Sequence, residues 1–589
     1  MNMRWSLDAL YPSFDSEQCQ SDREQVNQEL TQLQQWTKEQ LQDHTQPAAK
    51  METYIKLVTS LSQRLYRLFA FAELTASTDA KNMKALQLID QLQEKSVELV
   101  EPSILFQKWL GGIDRLPEVI ASSALLREHE YYITEIAAKN KYSLSEREEI
   151  ILAKMKNTGS NAWSKLQELL LSTLLVDITV DGERKQLPLP VVRNMAYEQD
   201  PEVRKNAYFA ELEAYKKVEE SSAASLNGIK GEVITVSKLR AYRSPLEKTL
   251  LDSRMDEPTL EAMLTAMRES LPVFHKYFRK KAELLGHQNG LPFYDLFAPV
   301  GEAEMKFTYE QARDFIVKQF GTFSPKLSNY AAKAFDHHWI DAEPREGKRG
   351  GAFCHNLHMI GESRILSNFT GSFNDVSTLA HELGHGYHGE CLNGESFLNS
   401  DYPMPIAETA SIFCETIITN AALESATPEE AFSILEQDIS SAAQVIVDIY
   451  SRYLFESWLF EQREHGSLSV DELKELMLKA QKEAYGDGLD HNYLHPYMWV
   501  CKPHYYSADL NFYNFPYAFG LLFSKGLYAE YLQRGEAFVN QYDYLLSVTG
   551  KMNIADVGKI MSVDVRSVQF WRNSLQLIAN DIERFISLR

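Results

Sequence analysis

The spacing of apolar residues is the feature that most constrains the fold of this chain. Between residues 25 and 170, apolar residues recur every three or four positions over long stretches with few prolines or glycines. Segments 54–76 and 85–100 show this spacing most clearly, and it predicts amphipathic helices. The same pattern resumes after Pro190 and dominates to the end. The sequence therefore predicts a mainly α protein.

Two segments depart from the helical pattern and predict short strands. Residues 175–187 alternate in polarity around Asp181-Gly182, a dipeptide typical of a tight hairpin turn. Within 347–374, a glycine-rich loop precedes two segments with the composition of strands, 352–360 and 365–370. We place a domain boundary near residue 195. This divides the chain into an N-terminal helical domain, 1–195, that ends in the hairpin, and a second helical domain, 196–589.

The charge balance argues against two classes of partner. The chain has 60 Lys+Arg and 82 Asp+Glu, a formal net charge of −22. Binding to nucleic acid or to an anionic membrane surface relies on basic residues, so the sequence predicts neither. Five scattered cysteines without a C-x-x-C pair, and an N-terminus without the apolar stretch of a secretory signal, predict a cytoplasmic protein.

A metal-binding motif lies in residues 374–388, where the chain reads His381-Glu382-x-x-His385. Asn374 or Asp375 is a good N-cap for one helix that holds the whole motif. Histidines at i and i+4 lie one turn apart and point the same way, so they can hold one zinc ion with Glu382 beside them. The alternative is a pair of solvated histidines, and the helical context favours zinc.

The opposite face of the same helix is predicted to be buried. Its apolar residues form one stripe at helical spacing: Val376, Leu379, Ala380, Leu383 and Tyr387. Gly384 and Gly386 each cost about 1 kcal/mol in a helix interior. Their presence indicates that another element packs closely against this helix.

A catalytic zinc ion held by two histidines needs a third protein ligand. The extended metzincin motif requires Gly at 388 and His or Asp at 391, and the chain has His388 and Cys391, so that class is rejected. Glu408 follows His385 by 23 residues, in the first turn of a predicted helix, 406–423, that can return antiparallel. The spacing prefers it only slightly over three competitors: Glu390, Glu395 and Glu415.

The motif and the segments after it resemble a known family, the thimet oligopeptidase / oligoendopeptidase F family of zinc metallopeptidases, peptidase family M3. The matching segments are His381-Glu-Leu-Gly-His-Gly-Tyr-His, Ala407-Glu-Thr-Ala-Ser-Ile-Phe-Cys-Glu415, Gly347-Lys-Arg-Gly-Gly-Ala-Phe, Asn368-Phe-Thr-Gly and Lys502-Pro-His-Tyr-Tyr. The resemblance is specific from about residue 200 onward. It implies a multi-helical shell around a deep substrate channel, with a small β-sheet next to the HExxH helix.

The resemblance also implies the chemistry. It identifies three zinc ligands, one ion per chain: His381, His385 and Glu408. It identifies Glu382 as the catalytic base of a metalloendopeptidase that hydrolyses internal bonds of short, unstructured peptides. Ser411 and Glu415, one and two turns after Glu408, are candidates for orienting a ligand or for a solvated face. The same ligands would also accept cobalt or manganese.

The family pattern further implies a group that contacts the substrate carbonyl: His504, Tyr513 and Tyr517. The family often has another tyrosine where this chain has Phe515. That departure leaves open which of four residues donates to the oxyanion: Tyr505, Tyr506, Tyr513 or Tyr517. Strand 365–370 is a candidate edge to which a peptide backbone adds as another strand.

Two other functions compete with the endopeptidase. A zinc carboxypeptidase or dipeptidyl carboxypeptidase would share the metal motif and would need a cationic group for the C-terminal carboxylate of its substrate. Lys348, Arg349 and Lys502 are candidates for that group. A peptide-binding scaffold with a relic metal site is disfavoured, because Glu382 serves no evident purpose in binding. The sequence leaves the oligomeric state open.

Overall fold

The computed structural model describes residues 1–180, 182–301 and 305–588, and it confirms the mainly α architecture with small sheets. In chain order the first half contains the helices α1 (Glu17–Gln40), α2 (Pro47–Thr78), α3 (Met83–Glu98), α4 (Val100–Leu110), α5 (Leu116–Ala121), α6 (Ala124–Glu128), α7 (Glu130–Lys139), α8 (Glu146–Thr158), α9 (Ser160–Thr173), α10 (Leu189–Asn194), α11 (Pro201–Tyr215), α12 (Glu219–Leu239), α13 (Pro245–Asp252) and α14 (Glu257–Leu284).

The second half continues with the helices α15 (Tyr309–Phe323), α16 (Pro325–Asp336), α17 (Phe373–Leu392), α18 (Met404–Ala407), α19 (Thr409–Ser425), α20 (Pro428–Ala443), α21 (Ile449–Arg463), α22 (Val470–Tyr485), α23 (Phe515–Arg534), α24 (Glu536–Val548), α25 (Ile554–Ile560) and α26 (Val568–Leu588). A π-helical turn, Gln444–Asp448, joins α20 to α21. The predicted helical stretches 54–76 and 85–100 correspond to parts of α2 and α3.

The described residues form two compact units, each built from several chain segments. The first unit comprises Met1–Ser143, Met305–Ala421 and Glu530–Ser562, and the second comprises Leu144–Glu304, Ala422–Ala529 and Val563–Arg589. The predicted boundary near residue 195 coincides with none of the ends of these segments. The division into 1–195 and 196–589 stays a prediction.

Each unit has a hydrophobic core made mainly by helix faces. In the first unit, fully buried side chains of α1, α2 and α4 pack together, among them Leu30, Leu61 and Phe106. In the second, side chains of α12, α21 and α22 pack with the strand that carries Val176, among them Leu226, Phe455 and Leu473. Burial of these apolar faces is what stabilises helices that would be marginal on their own.

The predicted hairpin belongs to the second unit. Strands β1 (Leu175–Val180) and β2 (Glu183–Pro188) pair antiparallel with Val180 opposite Glu183. Gly182 in the turn has a φ of 80°, a backbone angle that residues other than glycine rarely adopt. Asp181, the first residue of the predicted turn dipeptide, lies outside the described residues.

A three-stranded sheet belongs to the first unit. Strands β3 (Ile340–Asp341), β4 (Phe353–Leu357) and β5 (Glu362–Leu366) are ordered β3-β5-β4, with β3 parallel and β4 antiparallel to β5. The prediction that strand 365–370 offers a free edge is wrong. The strand ends at Leu366, and both Ile365 and Leu366 are paired on two sides because β5 is central.

Candidate metal centre and active site

The HExxH helix, α17, begins two or three residues earlier than the sequence predicts. Ser372 is its N-cap: the Ser372 hydroxyl accepts the N–H of Asp375, and the Asp375 carboxylate accepts the N–H of Ser372 in return. The same carboxylate also accepts the N–H groups of Thr370 and Gly371. Asp375 therefore serves as the third helical residue of a capping box rather than as the cap itself, which fixes where the helix starts.

The two faces of α17 divide as predicted. The apolar stripe is at most 1 % exposed along its whole length: Val376, Leu379, Ala380, Leu383 and Tyr387. The side chains of His381 and His385 on the other face keep 25 % and 19 % of their surface exposed. Their rings lie 4.9 Å apart between centroids, close to perpendicular. Both imidazoles are thus placed to bind a shared ligand.

The two helix glycines explain how other elements approach α17. A Cβ on Gly384 would lie 2.5 Å from the carbonyl oxygen of Ala410 and from the Cα of Ser411, both backbone atoms of α19. A Cβ on Gly386 would collide with the Tyr330 hydroxyl. Because these positions have no side chain, α19 and α16 pack directly on the metal-motif helix, as the two glycines predicted.

Glu408 is brought to the histidines by this close approach. It occupies the junction between α18 and α19, instead of the first turn of one continuous helix as predicted. Its Oε2 lies 3.2 Å from Nε2 of His381 and 3.5 Å from Nε2 of His385. The three ligand atoms lie within 4.8 Å of one another, the one such group found among the described residues.

These distances fit a tetrahedral metal ion. Zinc binds imidazole nitrogen and carboxylate oxygen at about 2.0–2.2 Å, so two ligands of one tetrahedron lie roughly 3.4 Å apart. The separations of Glu408 Oε2 from the two imidazole nitrogens, 3.2 and 3.5 Å, agree with that value. Two histidines and one glutamate also match the donor set of catalytic zinc sites that keep a fourth position open.

Further groups hold these side chains in place. Nδ1 of His381 lies 3.2 Å from Oε2 of Glu415, and the Ser411 hydroxyl donates to Oε2 of Glu408 at 2.7 Å. The amide of Asn356 on β4 donates to the backbone carbonyl of His385 at 3.1 Å. Sequence spacing pointed to Ser411 and Glu415 but gave no signal for Asn356, whose role depends on sheet-to-helix packing.

The charges of the group suit a divalent cation. Burial by itself would raise the pKa of Glu408, but His381, His385 and Ser411 outweigh it and hold the pKa at about 2. Burial lowers the pKa of His385 to about 4, which keeps this imidazole neutral. Burial also opposes protonation of His381, but hydrogen bonds to Glu408 and Glu415 raise its pKa to about 10. A positive charge is thus favoured between the carboxylates, and metal binding would replace that proton.

Glu382 lies beside the metal group but does not belong to it. It is 6 % exposed, and burial raises its pKa to about 7, with the carboxylates of Glu408 and Glu415 adding to the effect and His381 opposing it. A carboxyl group with a pKa near neutrality can both accept and return a proton under ordinary conditions.

The other competing glutamates have different partners. Glu390 accepts a hydrogen bond from the side chain of Asn393, and Glu395 pairs with Lys551. Neither is a member of the His381 group. Glu390, Glu395 and Glu408 all lie within a short stretch of chain after the motif, so only tertiary packing decides which of them reaches the histidines.

His504, Tyr513 and Tyr517 lie in the second unit. The His504 ring lies 5.7 Å from the Tyr513 ring between centroids, and the Tyr513 and Tyr517 hydroxyls are 3.0 Å apart. Within the described residues, the buried Nε2 of His504 has no hydrogen-bond partner. Burial lowers the pKa of His504 to about 3, with Arg452 adding to the effect, so the imidazole is neutral at ordinary pH.

Burial separates the four candidate tyrosines. Tyr505 and Tyr506 are 0 % and 3 % exposed and belong to the hydrophobic core of the second unit. Tyr513 and Tyr517 are only partly buried. Phe515, where the family often has a tyrosine, is itself buried. The exposure favours Tyr513 and Tyr517 as the residues that can reach a ligand.

Comparison with known proteins identifies the family of this chain. The family model of peptidase family M3 matches residues 194–577, about two thirds of the chain, and an oligopeptidase F model matches residues 113–174. The chain belongs to peptidase family M3. The resemblance stated from the motifs is therefore confirmed, and so is the enzyme class, a metalloendopeptidase that hydrolyses peptide bonds.

Individual relatives of this M3 peptidase match over most of their length. The oligopeptidase PepF of Bacillus subtilis is 25 % identical over 96 % of this chain and 84 % of its own. A solved structure from Chlamydophila abortus superposes with a TM-score of 0.85 at 22 % identity, covering 100 % of this chain and 98 % of the other. The oligoendopeptidase F of Enterococcus faecium gives 0.71 at 18 % identity, covering 96 % and 99 %. The two structures support the fold.

Across the described ranges, each helix is too short or too polar to cross a lipid bilayer.

Proposed function

We propose that this M3-family chain is a zinc-dependent oligoendopeptidase that hydrolyses internal bonds of short, unstructured peptides. The observation that carries the proposal is the spacing of the ligand atoms of His381, His385 and Glu408, with 3.2 and 3.5 Å between carboxylate oxygen and imidazole nitrogens. Glu382, next to His381 in the chain and buried beside the group, supplies the base that this chemistry requires.

The residues of the chain divide the work. A zinc ion, when bound by the three ligands, supplies a Lewis acid that acidifies water and polarises a carbonyl group. Glu382 takes the proton of the attacking water and delivers it to the leaving amine. Glu415 keeps Nδ1 of His381 engaged, which directs Nε2 toward the metal position. The Ser411 hydroxyl donates to Oε2 of Glu408, the same oxygen that faces the imidazoles, and so fixes the carboxylate.

We assign to His504, Tyr513 and Tyr517 the binding of the substrate carbonyl, on the strength of the family resemblance. Three features of the second unit support this assignment. The imidazole is neutral, its Nε2 is buried without a partner among the described residues, and the tyrosine hydroxyls lie within hydrogen-bond distance of each other. A donor to a developing oxyanion typically contributes about 10²–10³-fold in rate.

The first experiment measures hydrolysis of an internally quenched peptide of about ten residues, blocked at both ends. Wild type is compared with Glu382→Gln and with Glu390→Gln, a matched change on the same helix outside the metal group. We expect internal cleavage by wild type and by Glu390→Gln. We expect a loss of about 10²–10⁴-fold in kcat for Glu382→Gln, the usual contribution of a general base.

Zinc content is measured on the same three preparations. Near-complete loss of activity in a Glu382→Gln protein that keeps its zinc would support the assigned base. Equal activity in Glu382→Gln would refute this active site. A zinc-loaded wild type that leaves the blocked peptide intact would refute the endopeptidase.

The second experiment tests the tyrosines. Tyr513→Phe and Tyr517→Phe each remove one hydroxyl, and Tyr544→Phe on an exposed surface is the control. We expect at least one of the first two to lower kcat by about 10²-fold or more with a smaller change in KM, because an oxyanion donor acts mainly in the transition state. Wild-type kcat in both variants would contradict the assignment.

A carboxypeptidase remains the second candidate. Of the cationic side chains that could hold the C-terminal carboxylate of its substrate, Lys348 is removed by its contacts. The ammonium of Lys348 donates to the backbone carbonyls of Asp341, Glu343 and Ser367, and its side chain is 0 % exposed. Lys348 is therefore committed to the sheet region and is unavailable to a substrate. Lys502 has no such partners among the described residues, and this observation keeps the carboxylate-dependent alternative open.

We also propose that the protein works in a reducing compartment, the cytoplasm, as a peptide-degrading enzyme without a nucleic-acid or membrane partner. The five cysteines all occur as free thiols, four of them buried: Cys19, Cys391, Cys414 and Cys501. The net charge of −22 agrees with the absence of polyanionic partners. Fractionation of cells that express the tagged full chain would test the compartment.

A further inference from the structure

A cavity of about 940 Å³ lies wholly within the second unit. Its walls come from α9, from the α10–α11 region, from the π-helical turn 444–448 and from the segment that contains Lys502. This volume falls in the range of ligand sites, about 300–1,000 Å³. The metal ligands belong to the other unit, so the cavity is a feature in its own right.

Four basic side chains line the cavity, and three of them are neutralised. The pairs are Arg204 with Asp295 at 2.7 Å, Arg193 with Glu211 at 3.3 Å, and Arg452 with Asp448. The fourth is Lys502, which is partly buried. Within the described part of the chain, its ammonium has neither an ion-pair nor a hydrogen-bond partner. Among the residues described, Lys502 is therefore the one lysine or arginine of the cavity wall without a carboxylate partner, and Glu168, an exposed carboxylate on the same wall, is not paired with it.

The surroundings of Lys502 increase the positive potential. Burial lowers the pKa of Lys502, and the charges of Arg452 and Arg193 lower it further, while Asp448 opposes them only in part. The buried Nε of Arg452 also has no hydrogen-bond partner among the described residues. A partly dehydrated ammonium next to other cations is an unfavourable arrangement that an anion would relieve.

The backbone around the cavity is specialised. The π-helical turn inserts extra backbone between α20 and α21 and contributes Gln444 and Asp448 to the cavity wall. Asp448 then holds Arg452 one turn further on. Such π-turns are rare and are found frequently at functional sites. The turn places this Asp–Arg pair near Lys502, and Asp448 forms its ion pair with Arg452 and not with the lysine.

We propose that this cavity binds a carboxylate group of the peptide substrate, through Lys502. One unpaired ammonium matches one singly charged anion, and peptides offer that anion as a C-terminal carboxylate or as an aspartate or glutamate side chain. The inference rests on the proposed peptidase function and deepens it, because it predicts that acidic or free-acid peptides are preferred over neutral, blocked ones.

The test compares three quenched peptides that share one sequence: a C-terminal amide, the free acid, and the amide with one aspartate introduced at successive positions. Wild type is assayed beside Lys502→Met, Lys502→Arg and the surface control Lys216→Met. We expect wild type to prefer a carboxylate-bearing peptide over the plain amide by about tenfold or more in kcat/KM, the size of one charge-assisted hydrogen bond. The preference should appear mainly in KM.

In Lys502→Met the preference should fall to about one, whereas Lys216→Met keeps it and Lys502→Arg retains part of it. A gain for the free acid alone identifies the C-terminus as the anion, and a gain for one aspartate position identifies a side chain. Equal kcat/KM for all three peptides in wild type, or an unchanged preference in Lys502→Met, would overturn the proposal.

A binding measurement separates this inference from the proposed function. Fluorescence titration of the same peptides onto Glu382→Gln, with and without Lys502→Met, needs no cleavage. If wild type cleaves none of the peptides, the oligoendopeptidase proposal fails, and the difference in Kd between acid and amide still decides whether the cavity binds carboxylates. Circular dichroism of each variant verifies that the compared proteins are folded.

Discussion

Gly384→Ala tests the physical basis of the metal site most directly, because it adds one methyl group at the contact between α17 and α19. That methyl would lie 2.5 Å from the carbonyl oxygen of Ala410 and from the Cα of Ser411. Both are backbone atoms, so no side chain can rotate away. An ordinary carbon contact starts at 3.4 Å, and α19 must therefore retreat by about 0.9 Å or α17 must bend.

This displacement is large compared with what a metal site tolerates. Glu408 directly precedes α19 and moves with it, while ligand distances in a metal site are held within roughly 0.2 Å. Alanine also gains about 1 kcal/mol of helix propensity over glycine, so α17 itself should not weaken. We expect zinc affinity to fall by about 10–100-fold, as for disturbed ligand-orienting contacts, and hydrolysis at limiting zinc to fall in proportion.

Zinc affinity is measured by competition with a fluorescent chelator, and folding is followed by thermal unfolding of the metal-free proteins. Gly394→Ala is the matched control, since a Cβ there meets no atom within 4 Å and the residue follows the same helix. Unchanged zinc affinity in Gly384→Ala would refute the argument that this glycine sets the position of Glu408. Loss of affinity in both variants would refute it as well.

Three further predictions concern other parts of the chain. Glu415→Gln removes the carboxylate that engages Nδ1 of His381 at 3.2 Å, so zinc affinity should drop by about 10–100-fold while the metal-free stability stays near wild type; an unchanged affinity by chelator competition would contradict the role. Glu456 is 2 % exposed, pairs with the fully buried Lys230 and accepts the N–H of Phe512, where φ is 52°. Glu456→Gln removes this charge, so the free energy of unfolding in urea should fall by about 3 kcal/mol. A loss below about 1 kcal/mol would contradict the prediction. Asp581→Asn should stabilise the protein above pH 6. Burial raises the pKa of this carboxyl to about 6, so the folded wild type loses stability as pH rises from about 4 to 6. The asparagine variant should therefore be more stable than wild type by about 2 kcal/mol at pH 7.5 and equal to it at pH 4, which calorimetry at both pH values checks.

Local patterns predicted a large part of this fold. The 3.6-residue periodicity identified the helices, and the alternating segment with its turn dipeptide identified the hairpin of β1 and β2. The buried stripe of α17 followed from the same periodicity. These features depend on residues within one or two turns of each other, which is why sequence reasoning reaches them.

Features that depend on pairing between distant parts of the chain could not be predicted from the sequence. The order β3-β5-β4 puts β5 in the middle of its sheet, although composition suggested a free edge. The N-cap of α17 is Ser372, where the sequence predicted Asn374 or Asp375, because the Asp375 carboxylate also accepts the backbone N–H of Gly371 in the preceding turn. The two units combine segments that are hundreds of residues apart, so no local composition change marks them.

The candidate metal group also has one part that the sequence determines and one part that only the tertiary structure determines. The sequence by itself determined that His381 and His385 point the same way with Glu382 beside them, because helix geometry fixes side chains at i and i+4. Only the tertiary structure decided that Glu408, and neither Glu390 nor Glu395, completes the group. A carboxylate separated by a turn and a second helix reaches the histidines only where the two helices touch, and that contact depends on the missing side chain of one glycine.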